Sequence, residues 1–333
     1  MTLVEIIQSR ETLISTMKKY GVVFVLVFMI IGISIAQPAF LSRVNIFNVL
    51  TQSSIFGIMA LGMTFVIISR GIDISVGSIL GLSGVVMASL AQTSSAVSKY
   101  YPNLAEMPLI VPILAALIIG GSIGAVSGWL IAKTNIPAFI ATLGMMTIAR
   151  GLALIYADGK PISTLMPSLT ALGGKLFGVI PIPVIIYFIA IVVSWILLNN
   201  TSFGKNVFAI GGNITAAEVS GVNVSKNLVM IYAYCGLLAG LAAVVFAARV
   251  GSVHPGAATG YELTAIAATT IGGTSHSGGI GTIWGAFVGA LALAVLRNGL
   301  TLLGVGAYWQ QVTEGAIIIV AVVVDMRKNV KKH

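Results

Sequence analysis

The chain has 333 residues, of which 57% are hydrophobic and only 8% charged, and its net charge is +9. A soluble protein carries about a quarter charged residues, so a water-soluble globule is excluded. The basic residues stand singly at the ends of apolar runs and form no stripe, which fits membrane orientation and not nucleic-acid binding.

A spanning segment must satisfy its own backbone hydrogen bonds, which leaves helices or a closed barrel. The apolar runs are long and continuous, not short and alternating, so the predicted class is an all-α polytopic membrane protein. The 38 glycines suit close helix packing and interrupted helices. The single cysteine, Cys235, lies inside an apolar run as a small filler, and no metal-ligand spacing is present.

In chain order, Leu3, Ile6, Ile7, Leu13, Ile14 and Met17 fall on one helical stripe, with Glu5, Arg10 and Glu11 off it. Residues 1–19 therefore read as a helix lying on the membrane surface, in contact with lipid. Ser34-Ile35-Ala36 has the form of a signal cleavage site, but the long N-terminal lead and long apolar run argue against one. The transmembrane body covers 20–326, with spans expected at Gly21–Ala36, Val49–Ser69, Ser75–Ala91, Pro108–Ile131, Pro137–Tyr156 and Pro181–Leu198. After a polar stretch come Leu228–Ala248, Tyr261–Thr274, Thr282–Gly304 and Tyr308–Asp325, about ten spans in all. Tyr261–Thr274 is short and Ala/Thr-rich, so eight or nine full spans also fit. A basic tail, 327–333, closes the chain.

With the N-terminus in the cytoplasm, Arg70, Lys133, Lys205, Lys226 and the basic tail all fall inside. Ten spans return the C-terminus to the same side, so count and charge agree on two cytoplasmic termini. The polar stretch Thr201–Asn227 then faces the cytoplasm. It holds a Gly211-Gly212-Asn213 turn followed by a helix-capable patch, Ile214–Ser220, and reads as a docking surface for another protein.

Two places break the spans with glycine and polar residues. One is Arg70–Ser78; the other runs from Arg249 to Gly281. Irregular backbone at membrane depth survives only where it lines a cavity or is buried in protein, and such breaks point to a translocation path. Asp73 has two readings here: capping the helix that starts near Ser75, or contacting substrate. Gln52, Ser75, Ser78, Thr142, Glu262 and Asn298 are further candidates for the path, because polar side chains inside spans avoid lipid. Arg150, Arg297, Glu262 and Glu314 are expected in the outer half, as ion pairs holding helices together or as a polar vestibule. Tyr308 and Trp309 read as interface anchors.

No Walker A phosphate loop exists: Lys160, Lys175 and Lys205 are followed by Pro161, Leu176 and Asn206. This chain is therefore expected to bind no cofactor of its own. The cytoplasmic loop and the missing motor suggest a permease driven by a separate ATPase. A proton- or ion-coupled carrier is the alternative, weakened because the carboxylates lie towards span ends.

The segment Gly71-Ile72-Asp73-Ile74-Ser75-Val76-Gly77-Ser78 resembles the signature of permease subunits from bacterial ribose- and galactoside-type ABC importers. So do Ala138–Gly144, Gly211-Gly212-Asn213 with Ala216-Ala217 and Ser220–Val224, Gly260–Leu263, Gly272–Ser275 and Asn298-Gly299-Leu300. The resemblance implies a pore in the bacterial inner membrane, formed with a second permease copy. It also implies a tandem-domain ATPase that holds ATP and Mg, and a periplasmic sugar-binding protein. Gly211, Gly212, Asn213, Ala216, Ala217, Glu218, Ser220 and Gly221 inherit the role of the loop that couples to the ATPase. The substrate implied is a monosaccharide such as ribose or galactose, with inositol or autoinducer-2 as further options. The family often has Asp after Tyr-Glu-Leu, where this chain has Thr264.

Overall fold

The structure, a computed structural model, describes residues 21–330. The surface helix expected over 1–19 and the last residues of the basic tail lie outside the described residues. Thirteen α-helices are present among the described residues: α1 Gly21–Ala36, α2 Arg43–Ile68, α3 Val76–Leu90, α4 Ile110–Thr134, α5 Ala138–Tyr156, α6 Pro167–Ala171, α7 Ile182–Asn200, α8 Ser202–Gly212, α9 Ile214–Val219, α10 Val224–Val250, α11 Tyr261–Ile271, α12 Ile283–Leu302 and α13 Ala307–Val330. Seven of them, α2, α4, α5, α7, α10, α12 and α13, are long and apolar enough to cross a membrane. The molecule is an all-α polytopic membrane protein.

Three elements differ from expectation. α2 begins at Arg43, ahead of the expected Val49, because the Ser42 hydroxyl accepts the Asn45 N–H and caps it there. α11 stops at Ile271, and at about 16 Å for 11 residues it cannot cross the roughly 30 Å hydrocarbon core. The polar stretch holds two helices, not one, because Thr201 caps α8 by accepting from Gly204 N–H.

α2 is the buried mast of the bundle, enclosed almost continuously from Ser53 to Ile68, with α7, α10, α11 and α12 packed around it. Lipid is as apolar as a leucine, so burial alone drives little helix association in a membrane. Close van der Waals fit does the work. The sequence supplies that fit by spacing glycines. Gly120, Gly124 and Gly128 of α4 lie against the backbone of α10 at Gly236, Tyr232 and Leu228, so any Cβ there would strike a carbonyl. Gly236 and Gly240 of α10 reciprocate against Gly120 and Ala116. Gly285 and Gly289 do the same for α12 against α11.

Two short two-stranded ladders sit at the end opposite α8 and α9. β1 (Ile162–Ser163) pairs antiparallel with β4 (Ser252–Val253), tying the α5–α6 connection to the segment after α10. β2 (Lys175–Leu176) pairs with β3 (Ile180–Pro181) ahead of α7.

Candidate functional site

The two breaks come together. α3 has 15 residues and spans about 22 Å, too short to cross alone. It is preceded by the non-helical run 71–75. The Thr142 hydroxyl of α5 accepts the Ile74 N–H at 3.4 Å and shares its one proton between the Ala138 carbonyl at 2.9 Å and the Ile72 carbonyl at 3.2 Å, so it braces the unwound segment against α5. Asp73 is fully buried, and its Oδ1 accepts the Ser75 N–H at 2.9 Å and the Ser75 hydroxyl at 2.5 Å. That is an Asx turn, which fixes the chain entering α3; the expected capping of the first turn is not formed, since Ser75 is the N-cap residue and makes no side-chain bond to it. Oδ2 has no strong donor among the described residues, and the Cys235 thiol and Tyr232 hydroxyl face the same carboxyl.

The second break descends along α3. Gly77, Gly81 and Gly84 share one face, at spacings of four and three residues. The segment from Val253 to Glu262 lies in the groove they leave. Cβ atoms on these glycines would meet, in turn, Glu262 and Ala258, then Pro255 and Ala257, then Val253. Arg150 of α5 pins the segment from the side, its Nη1 donating to the Pro255 carbonyl at 2.6 Å and the Ala257 carbonyl at 2.9 Å. Glu262 closes the descent, its Oε1 accepting the Gly260 N–H at 3.1 Å in the first turn of α11. The first turns of two short helices, α3 and α11, thus meet at Gly77 and Glu262, each with its own carboxylate. Acidic groups are favoured there by the helix dipoles.

Of the sequence-derived path residues, Asp73 and Ser75 bond to each other, and Thr142 bonds the backbone of the residues either side of Asp73. Ser78 is buried on α3 one residue beyond Gly77. Gln52 sits half-buried on α2, one turn before Phe56, whose ring packs edge-on against Tyr261 at 4.7 Å. Asn298 stands apart, in a reciprocal amide pair with Asn45 at 2.8 Å in each direction.

The four charged residues expected to share an outer region divide into two groups. Arg297 of α12 pairs with Glu314 of α13 at 2.5 Å, donates to the Thr264 hydroxyl at 2.8 Å, and lies 4.6 Å from the centre of the Phe56 ring. Arg150 is bound to carbonyls and Glu262 to a backbone N–H. Glu262 and Thr264 are two residues apart on α11 and point away from each other, which is why one turn serves both groups. Thr264 accepts from Arg297, and the carboxylate that neutralises this arginine comes from Glu314.

At the opposite end α8 and α9 make an elbow. Asn213 ends α8 and caps α9, its Oδ1 accepting the Ala216 N–H at 3.0 Å. Ala217 and Val222 pack with Ile210 and Val224, so α9 is seated against α8 and the start of α10. Its outer face presents Glu218, Val219 and Ile214, and Val219 is 86% exposed. Beside it lies a groove of about 470 Å³ lined by Phe203, Asn206, Ser220, Asn223, Lys226 and Met230. The glycine groove on α3 and the pinning role of Arg150 are functional features that pattern reading missed. The i, i+4, i+7 glycines were visible, but their partner segment is remote in the chain.

The family described as "branched-chain amino acid transport system / permease component" matches residues 45–322. The chain belongs to this family. Among its relatives is the ribose import permease protein of Escherichia coli (strain K12), 43% identical over 91% of this chain and 92% of that protein. The ribose import permease protein of Bacillus subtilis (strain 168) is 43% identical over 97% of each chain. The galactose/methyl galactoside import permease protein of Escherichia coli (strain K12) is 41% identical over 97% and 98%. No solved structure matches the chain. As a permease component the chain is a transport subunit of the bacterial inner membrane and not an enzyme. The comparisons lend nothing to an ion-coupled carrier.

Proposed function

We propose that this permease carries a monosaccharide of the ribose or galactose type, and that an ATPase drives it. Similarity to ribose and galactoside import permeases over more than nine-tenths of the chain carries this reading. The two sugars are separated by 43% against 41% identity, which does not choose between them. ATP and Mg belong to a separate tandem-domain ATPase, sugar arrives from a periplasmic binding protein, and a second copy of this chain completes the pore.

In this reading α8 and α9 are the coupling element. The exposed Ile214, Glu218 and Val219 form the surface that the ATPase grips, while Gly211, Gly212, Asn213, Ala216, Ala217, Ser220 and Gly221 shape the elbow. Both termini lie in the cytoplasm with α8 and α9. The path runs beside the meeting point of α3 and α11, where unwound backbone and buried polar groups concentrate. Asp73, Ser75, Ser78, Thr142 and Glu262 border it and Gln52 lies nearby on α2, while Asn298, paired with Asn45, is set aside from it. Movement of the elbow shifts the short helices and switches access between the two sides.

Purification of the tagged permease in mild detergent, with mass spectrometry of the co-purifying chains, tests the partner assignment. Recovery of an ATPase with two nucleotide-binding domains is expected, and its recovery should fall when Glu218→Arg or Gly221→Trp is introduced. A permease that purifies alone and still moves sugar would overturn the assignment.

A further inference from the structure

We infer that Arg70 positions a three-way joint through which movement of α9 reaches both helix breaks together. The inference rests on the coupling role proposed above for α8 and α9.

Arg70 directly follows the end of α2 and adopts φ +63°. That left-handed conformation is unfavourable for any residue with a Cβ, and glycine is the residue that occupies it freely. The conformation closes the left-handed cap of α2, in which the Arg70 N–H donates to the Ile67 carbonyl at 2.9 Å and the Gly71 N–H to the Val66 carbonyl at 2.8 Å, so what sets this residue apart is the reach of its side chain. Here its guanidinium donates to the Gly212 carbonyl at 2.8 Å, at the last residue of α8. Its aliphatic stem covers Gly278, which sits at φ +81° in the turn that follows α11 and leaves no room for a Cβ.

Three strands of backbone meet under that side chain. The Ile68 carbonyl, at the end of α2, accepts the Gly279 N–H at 2.8 Å. A Cβ on Gly211 would strike that same carbonyl, and a Cβ on Gly278 would strike the Gly211 carbonyl. The turn itself is closed by the Ser275 N–H donating to Ile280 O at 2.9 Å. No side chain separates the end of α8, the end of α2 and the turn, so nothing soft lies between them.

Each member leads to a moving part. α8 continues through Asn213 into α9, α2 continues through Gly71–Ser75 into α3, and the turn joins α11 to α12. A push on α9 is therefore delivered to the start of α3 and to the end of α11 as one displacement. Without the Arg70 clamp, α9 would swing on the Asn213 elbow while the two short helices stay in place.

The test uses the full complex of permease, ATPase and binding protein in lipid. Arg70→Gly is the chosen variant because glycine relieves the backbone strain while removing the clamp, so the fold is favoured. Spin labels at Thr215→Cys and Thr259→Cys, both on exposed residues, report the distance between α9 and the segment before α11. The native Cys235 is buried and unlabelled. Trapping the ATPase with ATP and vanadate should shift that distance in the parent complex. In Arg70→Gly the shift should vanish, and sugar moved per ATP hydrolysed should fall about tenfold, with the ATPase still bound. Arg70→Lys, which keeps a cation able to reach Gly212, should recover part of both. An unchanged shift and unchanged sugar-to-ATP ratio in Arg70→Gly would overturn the inference. Failure of the parent permease to bind an ATPase would instead defeat the coupling reading, and the joint with it.

Discussion

At the scale of single residues, the polar groups inside this bundle are matched to backbone as often as to each other. Asp73 is the clearest case: one oxygen satisfies both the N–H and the hydroxyl of Ser75 at the start of α3. Asp73→Asn keeps an acceptor at that place and is expected to fold normally, whereas Asp73→Ala should destabilise by about 1–3 kcal/mol, the cost of leaving buried Ser75 donors unmatched. Thermal unfolding of the detergent-solubilised protein reads the difference. If Asp73→Asn folds normally and still abolishes uptake, the carboxyl touches substrate as well as closing the turn. Arg297 and Glu314 make a mostly buried pair, and removing one partner leaves the other charged and unmatched. Glu314→Gln and Arg297→Met should each be strongly destabilising. The double variant should cost less than their sum by about 0.5–3 kcal/mol, and simple additivity would contradict the pairing.

Glu106, in the connection before α4, accepts the Ser94 N–H at 2.8 Å and its hydroxyl at 3.0 Å, and these bonds hold its carboxyl below the usual glutamate range. A lowered folded-state value means the contribution is present above the ordinary glutamate value and lost as pH falls through the lowered one. Limited proteolysis of the 92–107 connection should therefore accelerate on acidification, and Glu106→Gln should show the fast rate already at neutral pH. A rate that ignores both changes would refute the contact.

At the scale of elements, the long spans were legible because apolar runs and their punctuation record helix length directly. α1, α4, α5, α7 and α12 needed no tertiary information. α8 was not legible, because Gly204, Asn206 and the Gly211-Gly212 pair lower helix propensity and only the Thr201 cap and packing overcome them. The shortness of α11 was already visible in the brief, Ala/Thr-rich run Tyr261–Thr274, and only its end at Ile271 ahead of Gly272 and Gly273 needed the structure. Glycine stripes announce that another backbone comes close without saying which one, so the α4–α10 contact and the α3 groove emerged only from the structure. The intimacy of α4 and α10 makes a sharp prediction. Gly124→Leu must part the two backbones, since even a Cβ there would strike the Tyr232 carbonyl. Overpacking of this kind costs about 1–3 kcal/mol and occasionally more. Gly144→Leu, at a position with open space beside it, should leave the melting temperature nearly unchanged.

At the scale of the whole molecule, the candidate site was half legible. Both breaks stood out as glycine-rich interruptions, and Asp73 and Glu262 were visible within them. That the breaks lie against each other, with Arg150 holding one in the groove of the other, depends on residues more than a hundred positions apart in the chain. The same arrangement gives the proposed coupling element a route to the interior: α8, the end of α2 and the turn after α11 share direct backbone contact. ATP-driven sugar import through this centre is the central claim. Its most direct measurement is uptake of radiolabelled ribose and galactose into proteoliposomes that hold the permease and its ATPase, with binding protein added and ion gradients collapsed by ionophores. The account predicts that uptake of one of these sugars requires ATP on the α8–α9 side and survives the ionophores. Uptake by the permease alone, without ATP and abolished by the ionophores, would contradict it.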